Sequence, residues 1–401
     1  MTARLDAVHA QFSPRLASDL IALRREIHAD PELAFQECRT AARLAAALQK
    51  FGVDEIRRVG DTGLVARVPG RDRKAPVVAL RGDIDALPIQ EATGLEFASR
   101  NAGVMHACGH DVHATWAVGA AALLAASPAN GDVLIVLQPA EETGRGALSI
   151  IDSGALDDAR VIFGGHVDRR FEVGYVVADE GPLAASADMF TIELIGAGAH
   201  AARPHEARDP IVAAAAVVTA LQTIVSRRLN PATPGVVTVG TLNAGSAHNV
   251  IPDRATITGT VRAIEPKSRA LMLDELRKVA ESVASGFGVE ARVIIDDGTP
   301  PVVNPPEATG WARDAVASIL GDGGRLPLGF LNLAAEDFAH YMERMPGCFL
   351  RIGARELGGE VIPAHSPRFV AAEESIFVGA AVLAECARVA SRAVPGSVFK
   401  L

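Results

Sequence analysis

In "SPRLASDLIALRREIH", from residue 13, apolar positions recur at three- and four-residue steps, the spacing of one helical face. "DPELAF" interrupts the pattern. "RTAARLAAALQKFG" resumes it and ends on Gly52, a helix stop. "GLVARVPG" and "APVVALRGD" then read as strands. The Ala-rich stretch 111–127 predicts a helix, with Asp111 placed to cap its start. "GDVLIVLQPAEE" and "RVIFGGHVD" are continuous apolar runs of the kind found in buried strands. Each run ends on polar residues: Asp83 and Asp85, then Glu141 and Glu142, then His166. Strands separated by helices, with chemistry at the carboxyl ends, predict an α/β fold: a mixed, largely parallel sheet with helices on both faces.

The pattern changes near residue 187. "DMFTIELIGAGAH" alternates as a strand, and "RDPIVAAAAVVTALQTIVSRRL" reads as a long helix. "GVVTVGTLNAG" and "RATITGTVRAI" are strands, "PKSRALMLDELRKVAESVASGFG" is a helix, and "EARVIIDDG" is a strand. The order β-α-β-β-α-β predicts a small ferredoxin-like α+β domain over 187–298, inserted into a larger α/β domain formed by 1–186 and 299–401. After the Pro-rich "TPPVVNPPE", strand and helix signals return in "GCFLRIGA" and "EESIFVGAAVLAECARVAS".

A chain of 401 residues agrees with two domains rather than one core. With aromatics at 4%, those cores must be built from Ala, Val, Leu and Ile. A net charge of -9 without basic clusters argues against nucleic acid and against an anionic membrane surface as partners. Cys38, Cys108, Cys348 and Cys386 show no pairing pattern, which points to a reducing compartment. The N-terminal "MTARLDAVHAQF" has no apolar leader, and the longest apolar run, 211–225, is broken by Thr219, Gln222 and Thr223. A cytoplasmic protein without a membrane span is the expectation.

"MHACGHDVHA", 105–114, holds three of the 11 histidines and one of the 4 cysteines. Taken alone, Cys108 and His110 fit a buried thiol beside a histidine, a thiolate-imidazole metal pair, or a Cys-His-Asp nucleophile. The adjacent Glu141 and Glu142 shift this balance, because neighbouring carboxylates resist ionising together unless positive charge is present. On extended backbone they leave in different directions, so one can bind metal while the other acts as general base. The glycines before His166 let the backbone approach another group closely, and Asp83 and Asp85, two residues apart, point to one side if extended, as a carboxylate behind a ligating histidine would. With His365 in the Pro-flanked "IPAHSPRF", the residues Cys108, His110, Glu142, His166 and His365 form a candidate two-metal ligand set, with Glu141 left as base.

At this point "LRREIHADPELAFQE", "LRGDIDALPIQE", "MHACGHDVHA", "LQPAEETGRGA", "GGHVD", "HAARPHEARDP", "HNVIPDRATITGTVRA", "AEDFAHY" and "HSPRF" matter as an ordered series. The series resembles the dimetal aminoacylase and carboxypeptidase family, in its hippurate hydrolase and auxin-conjugate amidohydrolase subgroup. The resemblance runs from about residue 20 to residue 370. It implies Cys108, His110, Glu142, His166 and His365 as ligands of two divalent metals, zinc or manganese first, then cobalt or nickel. It also implies Glu141 as catalytic base and Asp85 as the aspartate behind the metals. The inserted domain would be a lid that also forms a homodimer. His200 would reach an active site from that lid, in the same chain or a partner's. Asn249 would contact substrate, and Arg262 is a candidate for binding its carboxylate.

The implied reaction is hydrolysis of N-acyl (acetyl, benzoyl or aryl-acetyl) amino acids to acid plus amino acid. A dipeptidase or carboxypeptidase on the same scaffold, a non-catalytic small-molecule binder, and a Cys108 nucleophile hydrolase are the alternatives. The chain departs from the resemblance at Asp168 and Arg169, where the subgroup has Trp-Pro, and at Ala335, where it has glycine. These departures bear on the substrate. His106 reads as loop support and His113 as a helix-face residue. His205, His248 and His340 read as pocket or surface residues.

Overall fold

The computed structural model describes residues 2–394. In chain order it contains α1 (Thr2–His9), α2 (Pro14–Ala29), α3 (Cys38–Lys50), β1 (Glu55–Val59), β2 (Gly63–Val68), β3 (Val77–Asp83), α4 (His110–Ala126), β4 (Val133–Gln138), α5 (Gly146–Asp152), β5 (Ala159–Glu172) and β6 (Val176–Val177). Next come β7 (Gly181–Ala184), β8 (Ala187–Ile195), β9 (Ala199–His200), α6 (Pro210–Thr223), β10 (Gly235–Ala244), β11 (Val250–Ile251), β12 (Arg254–Ala263), α7 (Pro266–Gly286), β13 (Glu290–Thr299) and β14 (Val302–Asn304). The chain ends with α8 (Pro306–Leu320), α9 (Ala339–Met342), β15 (Gly347–Arg355) and α10 (Glu374–Ala393).

The chain divides into two compact units. One comprises the chain up to Gly181, Asn304–Phe330 and the chain from His340 onward; the other comprises Pro182–Val303 and Leu331–Ala339. In the first unit a seven-stranded sheet has the order β1-β2-β4-β3-β5-β15-β6. Strands β4, β3, β5 and β15 run parallel at its centre, and the pairs at either end are antiparallel. This is the mixed, largely parallel sheet that the strand-helix alternation predicts. Every residue of β4 is buried, as a strand covered on both faces requires. Trp116, Leu80, Ile135, Phe163, Leu350 and Leu383 belong to one continuous core. Burying each such side chain stabilises the fold by roughly 1.5–3 kcal/mol.

The second unit has a four-stranded antiparallel sheet, β10-β12-β8-β13. Its core joins Ile192 and Leu194 of β8 and Ile257 of β12 to Ala213, Val217 and Leu221 of α6 and to Met272, Leu276 and Ala280 of α7. The helical run Pro210–Arg228 is longer than the apolar stretch marked in the sequence, because a π-helical turn, Ile224–Arg228, continues α6. By length and composition it could cross a membrane. Its buried face, however, already packs into this core.

One departure from the sequence reading concerns the start of α4. The residue before its first turn is Gly109, at φ +89°, and no side chain caps the helix. Asp111 does not cap it. Asp111 is buried and turned toward α2, where its carboxylate accepts from Arg24 Nε at 2.7 Å and from His28 Nδ1 at 2.8 Å. The Arg24 guanidinium and the His28 ring N–H take the carboxylate in place of the backbone amides.

Gly109 is required by its surroundings. A Cβ there would lie 2.5 Å from Val167 Cγ2, and its φ is one that L side chains rarely adopt. Gly109→Ala is expected to cost about 1–2 kcal/mol for the left-handed backbone and about 1–3 kcal/mol more for overpacking. Denaturant unfolding of the metal-free protein checks this, and a loss below about 0.5 kcal/mol would contradict it.

Candidate metal centre

Strands β3, β4 and β5 run parallel, so their carboxyl ends meet at one edge of the sheet. β3 leads into Asp83 and Asp85, and β4 into the 3-10 turn Glu141–Thr143. β5 carries His166, and the start of α4 carries His110. Gly82 lets α4 come close: a Cβ there would lie 2.4 Å from the His113 carbonyl oxygen.

Five side chains converge on this edge. Cys108, His110 and His166 are buried and present ligand atoms within 4.8 Å of one another. Cys108, Glu142 and His365 form a second such group, so Cys108 is common to both. Cys108 Sγ lies 3.1 Å from His166 Nε2, and His365 Nε2 lies 3.4 Å from Glu142 Oε1. His110 Nδ1 donates to Asp85 Oδ1 at 3.1 Å, and His166 Nδ1 donates to the Val167 carbonyl at 2.7 Å. Each bond makes Nδ1 the donor and turns Nε2 inward, the ring nitrogen a metal would take. Asp85 also accepts from the Glu142 backbone N–H at 3.1 Å, through its other oxygen. One carboxylate therefore fixes a histidine and the turn that carries the glutamates. Glu141 Oε2 lies 4.0 Å from His110 Nε2, and its side chain is 10% exposed. Glu141, Glu142 and His110 also form a third group with mutually close ligand atoms.

The electrostatics suit a cation. Burial, then the Glu142 carboxylate, push the Cys108 thiol up to about 12. Burial works against charge on His110, but Asp83, Asp85 and Cys108 outweigh it and raise its pKa. Burial, then His113 and Arg351, lower that of His166. Burial opposes ionisation of Glu142, yet His365 and His110 hold its carboxyl below the usual range. Its bond to Glu142 raises His365, against the effect of burial. His110 Nε2 is buried without a hydrogen-bond partner among the described residues, and Glu142 Oε1 stands 3.9 Å from it. A divalent cation would engage both atoms and hold Cys108 as a thiolate, so these residues fit a metal pair.

The remaining sequence candidates fall elsewhere. His200 and Asn249 come together in the second unit. There His200 of β9 pairs with Val250 of β11, and the Ala201 N–H donates to the Asn249 carbonyl at 3.1 Å. Both residues are exposed. His200 Nδ1 accepts from the Ala202 N–H at 3.1 Å, leaving Nε2 as a donor. Arg262 lies on β12 and donates to the Leu333 carbonyl at 3.3 Å. His113 is more than a helix-face residue. It donates from Nδ1 to Asp83 at 2.6 Å and accepts the Val167 N–H at Nε2 at 2.9 Å, bracing the strand beside His166. His106 is buried, and burial lowers its pKa to about 3. His205 and His248 are exposed, whereas His340 is buried.

The sequence reading missed Glu37, which is fully buried. Its Oε1 accepts from the Ala140 N–H at 2.9 Å, one residue before Glu141. Ala140 sits at φ 54°, a left-handed conformation that needs external bracing. The reading also missed Arg24 and His28. An arginine within the apolar stripe of Leu20, Leu23 and Ile27 was the available signal.

Comparison with known proteins agrees with this geometry. The model of peptidase family M20/M25/M40 matches residues 79–389, and the chain belongs to that family. It is 40% identical over 376 residues to the N-acetyl-L-cysteine deacetylase of Bacillus subtilis (strain 168), covering 93% of this chain and 88% of that protein. It is 39% identical over 378 residues to the IAA-amino acid hydrolase ILR1-like 5 of Arabidopsis thaliana, covering 92% and 86%. The crystal structure of a dinuclear metal binding peptidase of this family from Bacillus subtilis superposes with a TM-score of 0.83 at 35% identity, over 94% of this chain and 99% of that one. The chain is thus a metal-dependent hydrolase acting on amide bonds.

Proposed function

We propose that this protein hydrolyses N-acyl amino acids, with acetyl, benzoyl or aryl-acetyl groups as the acyl class. The reading is carried by the juxtaposition of Cys108, His110, Glu142, His166 and His365 around one sheet edge, with Glu141 beside His110. The substrate class is supported by relatives near 40% identity named as an N-acetyl-L-cysteine deacetylase and as an IAA-amino acid hydrolase.

Two divalent ions, zinc or manganese before cobalt or nickel, would be held by those five residues and would polarise the amide carbonyl and acidify water. Glu141 accepts the proton of the attacking water and returns it to the departing nitrogen, giving a carboxylic acid and a free amino acid. Asp85 keeps His110 in its ligating tautomer. His200, through its Nε2–H, is assigned to the developing oxyanion, Asn249 to the substrate, and Arg262 to its carboxylate. We assign 187–298 as a lid and homodimerisation domain inserted into a catalytic domain of 1–186 and 299–401.

The test is a panel of N-acetyl-, N-benzoyl- and indoleacetyl-amino acids, with free dipeptides, assayed after chelation and after adding back each metal. Chelation is expected to abolish cleavage and added metal to restore it for an N-acyl amino acid. Restoration only with dipeptides would favour the peptidase alternative. Activity that survives complete metal removal would favour Cys108 as nucleophile.

A further inference from the structure

The ligand set includes one residue on a loop with little apolar support. The segment 356–370, between β15 and α10, contains no helix or strand, and Phe369 is its buried residue. Such a segment gains little from burial to offset the entropy of being ordered. Yet it holds His365 at φ 65°, a left-handed conformation that persists only when its surroundings impose it. The His365 N–H donates to the Ala107 carbonyl at 2.8 Å, next to Cys108.

Arg169 supplies much of what is needed elsewhere in this loop. It lies three positions after His166 on β5 and is 6% exposed. Its Nη2 donates to the Glu360 carbonyl at 2.7 Å and lies 2.9 Å from Glu356 Oε2. Its Nη1 donates to the Val370 carbonyl and lies 3.3 Å from Glu356 Oε1. Its own carbonyl accepts from Arg355 Nε at 3.1 Å, while Arg355 Nη1 donates to the Gly359 carbonyl at 3.2 Å. One planar guanidinium therefore ties the outgoing limb at 356 and 360 to the returning limb at 370, with His365 midway between them. A fork of fixed donors can do this, whereas a single ammonium cannot reach both limbs with the same geometry.

We propose that Arg169 is a positioning residue that clamps both limbs of the 356–370 loop and thereby sets the affinity of the metal position that His365 completes. This rests on the assignment of His365 as a ligand. Arg169 is one of the positions where the chain departs from the pattern its sequence otherwise resembles, so the clamp belongs to this chain's own way of holding the loop.

The experiment is a zinc titration of the metal-free full-length protein, read by equilibrium dialysis with elemental analysis, for the parent, Arg169→Ala, Arg169→Lys and His365→Ala. Alongside it, hydrogen exchange is measured over 356–370 without metal. Arg169→Ala is expected to weaken one zinc equivalent about 10–100-fold, leave the other unchanged, and speed exchange in the loop. Arg169→Lys should fall between this variant and the parent. Excess zinc should restore kcat of Arg169→Ala at unchanged KM, which a loss of general stability would not allow. Equal weakening of both equivalents, or parental binding with parental loop exchange, overturns the proposal. Parental binding by His365→Ala overturns the ligand assignment and this inference with it, and that row of the experiment separates the two failures. If Arg169→Ala does not fold, Arg169→Lys carries the same outcomes.

Discussion

Glu141→Gln is expected to lower kcat on the order of 10²–10⁴-fold while both metal equivalents stay bound and the fold is unchanged. Glutamine has nearly the same shape as glutamate and keeps an acceptor oxygen, but it cannot take a proton. The five other converging residues are left intact, and Glu141 belongs to neither of the two groups that share Cys108. The effect should therefore appear in kcat and kcat/KM together, with little change in KM. Metal analysis makes the result decisive. Glu141 also stands close to His110 and Glu142 in the third group, so a drop in bound metal would make it a ligand. Activity within about tenfold of the parent would place the general base elsewhere. Glu142→Gln is the matched control, and it should lose metal as well as activity.

How far the sequence reaches depends on the range of the interactions involved. Strand runs such as "VLIVLQ" and the carboxyl-edge placement of polar residues are local patterns, and the parallel centre of the sheet follows from them. A carboxylate behind a ligating histidine is legible in the spacing of Asp83 and Asp85, but that Asp85 takes His110 while Asp83 takes His113 is seen only in the fold. Asp111 shows where local reasoning stops. Position alone makes it a helix cap, but Arg24 and His28, more than eighty residues earlier, capture its carboxylate. Glu37 is similar: its partner is the backbone of Ala140, and no pattern near residue 37 announces a strained alanine a hundred residues later. Arg169 stands out in sequence only as a departure bearing on the substrate, and in the fold it is a buried residue tied to the 356–370 loop. The missed residues share one property. They are charged groups buried by distant elements, and their roles lie in supporting the converging residues.

Breaking the Arg24-Asp111 pair should give a large stability effect. Both side chains are 1% exposed, and the His28 ring completes the contact. Asp111→Ala leaves a buried guanidinium without its main partner, since Glu373 lies 3.5 Å from Arg24 and is already engaged by Arg25. Breaking a buried pair in this way costs about 3–5 kcal/mol, and denaturant unfolding at constant pH measures it. Adding Arg24→Met to Asp111→Ala should recover part of the loss, because the orphaned charge is then gone. Failure of the double variant to recover any stability would mean that the contact's value lies in packing. The pH dependence has a definite sign. Burial opposes charge on Asp111, but Arg24 and His28 outweigh it and lower its pKa. Its contribution is thus present above the unfolded value of about 3.9 and is lost as pH falls through the depressed folded value. Burial likewise opposes charge on His28, but Asp111 and Glu91 outweigh it and raise its pKa. Its contribution is complete below about 6.5 and is lost as pH rises through the raised folded value. The difference between parent and Asp111→Ala should therefore be greatest between about pH 4 and pH 6.5. It should narrow on both sides of that window, on the acid side because the carboxylate itself is neutralised and on the basic side because His28 loses its charge.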